Sequence, residues 1–252
     1  LINGKIVYAV QEERLIREKF TKKFPKNAIK KCLDFKNLDI SDIDYISVGW
    51  NPSAHMSRFN PIISSNRTYR EYNFYTLSDN LFSFTDRSSG NFTKISHDKT
   101  FPEIYHVNHH LSHAGAAFYL SNFTEAAILT CDFKGENQCT TWGFGKKNKI
   151  KILDSQNLPN SLGLLYATFT SLLGYKPDSD EWKVMAMSAY KTDCSSYINK
   201  IKKLYKLSKN GKLELNQKYF GINHLGNNNY LITKDLMNLF DIEKINYQSK
   251  PD

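Results

Sequence analysis

The feature that most constrains the fold of this chain is a histidine cluster followed by a short apolar segment that ends in an aspartate. Four of the seven histidines lie between His106 and His113, and residues 126–132 (AAILTCD) read as a short buried strand ending on Asp132. On a helix, His109 and His113 lie one turn apart on one face, so both imidazoles can converge on one point. Two neutral imidazoles in this geometry can hold one divalent metal ion, leaving positions for a carboxylate, water or substrate.

The same histidine spacing has a second interpretation, because surface and packing histidines also fall four residues apart by chance. Residues 114–117 (AGAA) favour the metal interpretation, since their small side chains let the helix approach another backbone closely and hold the histidines rigidly. We expect His110 to point elsewhere, as a support for the site or as a substrate contact. The pair His106 and His110 has the same spacing, but His106 falls in a predicted strand.

The apolar pattern predicts alternating strands and helices, and therefore the α/β class. Predicted strands cover residues 5–11, 44–50, 104–107, 126–132, 139–145 and 149–154, and predicted helices begin at Pro25 and cover 109–120, 161–174, 181–190, 195–207 and 233–240. Hairpins followed by crossover helices predict a mixed sheet. Turns are predicted at Asn3-Gly4 and at Gly211. Residues 52–100 form a polar insert, expected to be a mobile excursion on the substrate side or an interface.

Composition and charge limit the classes of molecule that this chain can be expected to bind. The 252 residues suffice for one large domain or two lobes, and the net charge of +9 suits an anionic partner. Because the lysines are scattered and no nucleic-acid motif accompanies them, we expect phosphorylated small molecules and no nucleic acid. No apolar run approaches the roughly 18 residues of a membrane span, and no C-x-x-C pair occurs. The expected compartment is the reducing cytoplasm, without membrane attachment.

A carboxylate is predicted at the carboxyl end of a strand, which is where α/β sheets bind ligands. Asp132 ends the strand, and Gly135 and Glu136 follow it in the predicted turn. An acid in this position can orient a hydroxyl nucleophile, accept its proton or hold a metal-bound water. The alternative is an ordinary aspartate that caps local backbone amides.

Three further segments offer weaker signals, each with an ordinary alternative. Ser161 opens a predicted helix with Gly163 in its first turn, and a helix N-terminus favours phosphate oxygens, although serine is also a common N-cap. Lys183 lies in an apolar segment, where a solvated lysine is the competing interpretation. The charged run 12–19 ends in Lys19 and can either face solvent or hold an anion.

Five motifs follow one another in a fixed order between residues 3 and 190. They are N-G-K-I with E-E-R and F-P from Asn3, H-H-L-x-H-A from His109, D-F-K-G-E from Asp132, S-L-G-x-x-Y from Ser161, and E-x-K-x-M from Glu181. Together they closely resemble the amino-terminal domain of the O-carbamoyltransferases, the family of the nodulation-factor, cephamycin and tobramycin carbamoyltransferases. Five positions of the family pattern differ: Asn3 replaces an aspartate, Phe133 a glycine, Trp182 a small or aromatic residue, Met187 a leucine and Ser188 an alanine. Phe133 and Trp182 are expected to narrow the nucleotide pocket.

This resemblance implies an actin-like ATPase fold, shared with the tRNA threonylcarbamoyl-transferring enzymes, in which the H-x-x-x-H pair binds iron or zinc. Carried over by position, His109 and His113 would be the metal ligands. Asp132 would lie beside the carbamoyl-adenylate and act as base for the acceptor hydroxyl, and Lys19 would contact the anionic donor. The implied cofactor-binding residues are Gly135, Glu136, Ser161, Gly163 and Lys183.

The family chemistry implies the substrates. ATP and carbamoyl phosphate would form carbamoyl-adenylate, and the carbamoyl group would pass to a hydroxyl of a small-molecule acceptor, expected to be a sugar or a secondary metabolite. A homodimer is an open assembly state. Two other functions stay open, namely a catalytically inactive metal- or nucleotide-binding module of the same fold and a sugar-kinase-like phosphotransferase. The second is disfavoured because such kinases hold Mg²⁺ through carboxylates and phosphates.

The resemblance also predicts that the chain is a fragment that is incomplete at both ends. Its lobes would cover about 1–125 and about 126–252. The family's first strand would precede Leu1, and its third metal ligand, an aspartate, would lie beyond Asp252. The carboxy-terminal adenylate-forming domain would be absent as well. We therefore expect this fragment to be inactive alone.

Overall fold

The computed structural model describes residues 1–21, 23–51, 102–190, 193–221 and 232–243. These residues form two compact units, one of residues 1–51 and 102–107 and one that begins at residue 108. The predicted polar insert at 52–100 lies outside the described residues. The division into two lobes near residue 125 belongs to the predicted actin-like fold and stays a prediction.

The first unit combines two helices with a pair of parallel strands. Its elements are α1 (Glu12–Ile16), α2 (Lys26–Asp34), a 3₁₀ turn (Ile40–Asp42), β1 (Tyr45–Val48) and β2 (Glu103–His106). The two strands pair from Tyr45 with Glu103 to Val48 with His106. Both predicted strands and the predicted helix after Pro25 are therefore confirmed within one or two residues.

The start of the first unit differs from the prediction. The Asn3-Gly4 turn is present, but the predicted strand 5–11 is wrong, because among the described residues only an Ile2–Lys5 bridge pairs there. A strand needs a partner along its length, and this segment has one bridge. The acidic run that follows serves the fold, because buried Glu12 accepts a 2.7 Å hydrogen bond from the backbone amide of Ala28 in α2.

The second unit contains a three-stranded antiparallel sheet, a two-stranded sheet and five helices among its described residues. In chain order they are α3 (His109–Tyr119), β3 (Glu125–Cys131), β4 (Gln138–Lys146), β5 (Lys149–Asn157), α4 (Leu162–Leu172), α5 (Glu181–Met187), α6 (Ser195–Lys202), β6 (Tyr205–Leu207), β7 (Leu213–Leu215) and α7 (Lys234–Leu239). The larger sheet has the order β3-β4-β5, and β6 pairs with β7. Within the described ranges, every helix is too short or too polar to cross a membrane.

The histidine helix α3 packs on one face of the larger sheet. Ala114 and Phe118 are buried against Ile128 of β3. Opposite them Gly145 of β4 has no room for a side chain, since an added Cβ would lie 2.7 Å from the ring of Phe118. Small residues on both elements thus allow the close approach that residues 114–117 predicted. The predicted strand is confirmed as β3, and it is buried on this face, at Ile128 and Thr130, while its other face is exposed.

Two predictions in the last third of the chain need correction. The predicted helix 195–207 ends at Lys202, and its final residues form β6, because they pair with β7 across the turn at Gly211. Helix α5 ends at Met187, three residues earlier than predicted.

The α/β class is confirmed. The strands in the described parts of the chain form three separate sheets, each purely parallel or purely antiparallel, so they do not show the predicted mixed sheet. The actin-like arrangement stays a prediction.

Candidate metal centre

Three side chains of the second unit converge at one end of the larger sheet. His109 Nε2 lies 2.8 Å from Oδ2 of Asp132, and His113 Nε2 lies 3.3 Å from the same oxygen. The two Nε2 atoms are 3.0 Å apart. The two histidines project from successive turns of α3, and Asp132 directly follows β3, so the helix–sheet packing creates the cluster.

The three donor atoms fit a divalent cation. Each residue offers one ligand atom, and these atoms lie within 4.8 Å of one another. Ligands bound at about 2.0–2.1 Å in tetrahedral geometry lie about 3.3 Å apart, which is close to the observed separations. Two imidazoles and one carboxylate form a donor set that suits iron or zinc. His113 is the most open of the three, with half of its side chain exposed.

The electrostatics of the cluster favour an ionised carboxylate. Burial alone would raise the pKa of Asp132, but hydrogen bonds from His109, from the Phe133 amide and from His113 outweigh it and lower the pKa to about 2. Asp132 therefore carries a negative charge at neutral pH, as a metal-binding carboxylate must.

The first turn of α3 is held by a buried carboxylate from the loop 132–138, which joins β3 to β4 and includes the first residue of β4, Gln138. Both oxygens of Glu136 accept from the backbone amide of His109, at 2.9 and 3.2 Å, and one also accepts from the Asn108 side chain at 3.1 Å. Glu136 is only 1% exposed. Its negative charge complements the positive end of the helix and fixes the backbone of the first histidine. A contact between Glu136 and a nucleotide stays a prediction.

The loop 132–138 also lies against the start of α4. Ser161 donates to the carbonyl oxygen of Phe133 at 2.7 Å and accepts from the amide of Leu164 at 3.1 Å, so it caps the helix and holds the loop. An added Cβ at Gly163 would lie 2.4 Å from Cα of Phe133. The ordinary interpretation of Ser161 as an N-cap is thus confirmed, and its contact with phosphate stays a prediction.

Gly135, in the same loop, faces the histidine helix α3. An added Cβ there would lie 2.9 Å from the ring of His110 and 3.2 Å from Cβ of His109. Glycine at this position therefore lets the loop backbone touch the histidine helix. Two of the predicted cofactor residues, Gly135 and Gly163, therefore allow a close approach of backbone, and a sequence motif cannot distinguish this role from ligand contact.

His110 points away from the cluster, as predicted, and is completely buried. Its Nδ1 lies 2.7 Å from the hydroxyl of Thr130, its Nε2 lies 2.9 Å from the carbonyl oxygen of Gln138, and Thr130 lies 2.7 Å from the hydroxyl of Thr141. Burial lowers the pKa of His110. Since the carbonyl can only accept, Nε2 of the neutral ring donates to it, and Nδ1 accepts from Thr130. Thr130 and Thr141 were not predicted as part of the site. The alternation of buried and exposed positions along β3 and β4 places both on the inner face of the sheet, and it is the one signal that could have found them.

The three-residue cluster does not include the remaining predicted residues. Lys183 pairs with Asp180 at 3.1 Å and lies over the ring of Tyr175. Lys19 is an exposed residue of the first unit, and its contact with the donor stays a prediction. His106 lies in β2, as predicted, where its Nδ1 is 3.1 Å from the carbonyl oxygen of Trp50.

A cleft of about 370 Å³ adjoins Asp132. Its lining combines apolar or aromatic side chains with carboxylates: Cys131, Asp132, Phe133, Leu162, Gly163, Tyr166, Ala167, Asp178 and Glu181. Phe133 does contribute to the walls, as expected from its place in the motif. Asp178 was not singled out in the sequence, because no pattern connects it with the strand that ends at Asp132.

The fold and the cluster define an α/β protein with a candidate metal centre beside an open cleft. Residues 1–252 match the family model described as "Carbamoyltransferase N-terminus". The chain therefore belongs to this family, which confirms the resemblance seen in the motifs.

Individual relatives agree with the family match. The chain is 32% identical to the uncharacterized protein sll1178 of Synechocystis over 86% of this chain and 36% of that protein. It is 31% identical to the nodulation protein NolNO of Sinorhizobium fredii, over 83% of this chain and 29% of that protein. With the uncharacterized protein MJ1051 of Methanocaldococcus jannaschii the identity is 30%, over 73% and 29%. The chain thus spans about a third of the length of the curated relatives it matches.

Proposed function

We propose that this chain holds the metal centre of a carbamoyltransferase, at which a carbamoyl group passes from carbamoyl-adenylate to a hydroxyl of a small-molecule acceptor, a sugar or secondary metabolite. The observation that carries the proposal is the convergence of His109, His113 and Asp132 within 2.8–3.3 Å in a chain of the carbamoyltransferase family. Making the adenylate from ATP and carbamoyl phosphate is assigned to another part of a longer protein.

The proposed reaction is a simple acyl transfer. The acceptor oxygen bonds to the carbamoyl carbon, the bond from that carbon to the phosphate oxygen breaks, and AMP leaves. An iron or zinc ion held by His109, His113 and Asp132 would supply Lewis acidity toward the carbamoyl oxygen.

Asp132 is proposed to face the metal through Oδ2, the oxygen that lies against both histidines, and to orient the acceptor hydroxyl and accept its proton through Oδ1. Because the pKa of Asp132 is about 2, the carboxylate is ionised but weakly basic at neutral pH. It can therefore accept a hydrogen bond from the hydroxyl at once, and it can take the proton only when the new carbon–oxygen bond has made that proton acidic. Proton transfer that follows bond formation requires a strongly activated carbamoyl group, which an adenylate provides.

The cleft beside Asp132 supports a nucleoside-bearing donor. Phe133 and Tyr166 provide aromatic and apolar surface for a base, while Asp178 and Glu181 provide carboxylates that accept hydrogen bonds from sugar hydroxyls. The first residues of α4 line the same cleft, and the free amides of a helix N-terminus favour phosphate. ATP is accordingly the proposed source of the adenylate.

The two alternatives differ in their products. An inactive module would bind metal without releasing AMP, and a sugar-kinase-like enzyme would release ADP. The kinase is disfavoured because the cluster contains two imidazoles, whereas Mg²⁺ prefers oxygen ligands.

The test uses the full-length protein with ATP, carbamoyl phosphate and candidate hydroxyl acceptors. Wild type should contain iron or zinc by elemental analysis and should release AMP only when carbamoyl phosphate is present. His113→Ala should lose both properties, whereas His106→Ala, which lies outside the cluster, should keep both. Full metal content in His113→Ala would contradict the metal centre, and ADP release would favour the kinase.

A further inference from the structure

Between the two proposed ligands lies a histidine that faces the opposite way. We propose that His110 is a positioning residue, which ties both ends of the loop 132–138 to the helix that carries His109 and His113. The proposal rests on the metal centre put forward above. It concerns the support of that centre and adds no ligand to it.

The contacts of His110 bracket the loop that carries Asp132. Nδ1 meets Thr130, two residues before Asp132, and Nε2 meets the carbonyl oxygen of Gln138, the first residue of β4. The amide of Gly135 donates to the same carbonyl oxygen at 2.6 Å, and the amide of Asp132 donates to Cys139 at 2.9 Å. One imidazole thus fixes where the loop leaves β3 and where it enters β4.

The network beneath the centre is buried. His110, Thr130 and Thr141 are at most 5% exposed. With Nε2 donating to the carbonyl, the hydroxyl of Thr130 donates to Nδ1, and the hydroxyl of Thr141 donates to Thr130. Each hydroxyl proton therefore has one partner, and loss of the ring would remove the acceptor of the Thr130 hydroxyl and one of the two donors to the Gln138 carbonyl oxygen.

Metal affinity depends on this support because the ligand atoms come from two elements. His109 and His113 move with α3, and Asp132 moves with the loop. Loss of groups that orient metal ligands typically weakens metal binding about 10- to 100-fold. Residues that hold a site within about 0.5 Å have this effect because they pre-organise it.

The experiment compares His110→Leu with Thr141→Val in the full-length protein, using Co²⁺ as the probe. His110→Leu should weaken Co²⁺ binding about 10- to 100-fold and alter the visible absorption bands of the bound ion. Thr141→Val removes a hydroxyl from the same network but leaves the contacts of His110 in place. Thr141→Val, like His110→Leu, should lower the urea concentration at the unfolding midpoint. Its affinity for Co²⁺, however, should stay within about threefold of wild type.

Two conservative variants guard against a misfolded His110→Leu protein. The amide of His110→Asn can keep the contact with Thr130, and the longer side chain of His110→Gln can keep the contact with Gln138. Each should restore part of the lost affinity. In metal-free protein, the amides of residues 133–138 should exchange with deuterium about tenfold faster in His110→Leu than in Thr141→Val, as the loss of a buried hydrogen bond implies.

The outcomes separate this proposal from the proposed function. Wild type that fails to bind Co²⁺ would overturn the metal centre, while the exchange rates would still decide whether His110 holds the loop. Equal affinities, equal spectra and equal exchange rates in the two variants would overturn the positioning role.

Discussion

Two helices of the second unit begin against the same loop, 132–138, but their first turns are completed differently. At α3 the buried carboxylate of Glu136 accepts from the amide of His109, so negative charge is supplied from within the protein. At α4 the cap is the neutral hydroxyl of Ser161, and Gly163 lines the open cleft. The positive end of α3 is therefore already matched, whereas that of α4 stays available to an anion. The two similar helix starts thus adjoin the proposed metal centre and the proposed donor cleft.

The largest expected effect tests whether α3, and not α4, supplies the histidine ligands of the metal. His109→Ala should weaken binding of Zn²⁺ at least about 100-fold, more than the loss of a supporting group costs. Tyr166→Phe, on the cleft side of α4, should bind Zn²⁺ like wild type. Calorimetric titration of the metal-free proteins measures both. A similar loss of Zn²⁺ affinity in the two variants would show that α3 and α4 do not differ in metal binding.

The second prediction concerns how tightly α4 lies on the loop. Gly163→Ala should reduce the free energy of unfolding by about 2 kcal/mol, because the new methyl group meets backbone that has no room to give. Gly115→Ala is the matched control, since its Cβ would meet only the Tyr119 ring at 3.7 Å. That substitution should stabilise α3 by about 0.5–1 kcal/mol. Urea denaturation compares the two, and equal values would contradict the close approach.

The third prediction compares the two caps directly. Glu136→Ala should cost about 2 kcal/mol of unfolding free energy, because it removes the hydrogen bonds that the His109 amide and the Asn108 side chain make with a buried carboxylate. Ser161→Ala should cost about 1 kcal/mol, as is usual for a neutral N-cap. Thermal unfolding of both variants checks the order. A larger loss from Ser161→Ala would show that the buried charge contributes little.

The smallest effect is the pH dependence of Asp132. Its pKa is about 2 in the folded protein against an ordinary value of 3.8, so its contribution to stability is complete above pH 4 and is lost as the pH falls toward 2. Because a third of the side chain is exposed, we expect about 1 kcal/mol in metal-free protein. The difference in unfolding free energy between wild type and Asp132→Asn should shrink over this range. A constant difference would contradict the ionised carboxylate.

Locally determined elements could be predicted from the sequence. Helix α3, the β4–β5 hairpin and the cap at Ser161 depend on neighbouring residues, and each lies within a few residues of its predicted position. The convergence of His109 and His113 follows from helical spacing alone. Their meeting with Asp132 could be anticipated because a short connection joins the end of α3 to the start of β3, so the strand runs back along the helix and ends near its first turn.

The remaining features depend on residues far apart in the chain. Glu136 caps a helix that begins 27 residues earlier, which no local pattern reveals. Residues 205–207 have helical apolar spacing, but pairing with β7 outweighs it. The roles of Gly135 and Gly163 could not be separated into packing and ligand contact, since glycine serves both needs.

The contact between Gly163 and Phe133 has a mechanical consequence. No side chain separates the start of α4 from the peptide that follows Asp132, so we expect a displacement of the helix to move that peptide as well. A molecule that fills the cleft and shifts α4 would therefore change how well the carboxylate meets the two imidazoles. Because the coupling between two bound ligands is reciprocal, the cation would change the affinity for that molecule by the same factor.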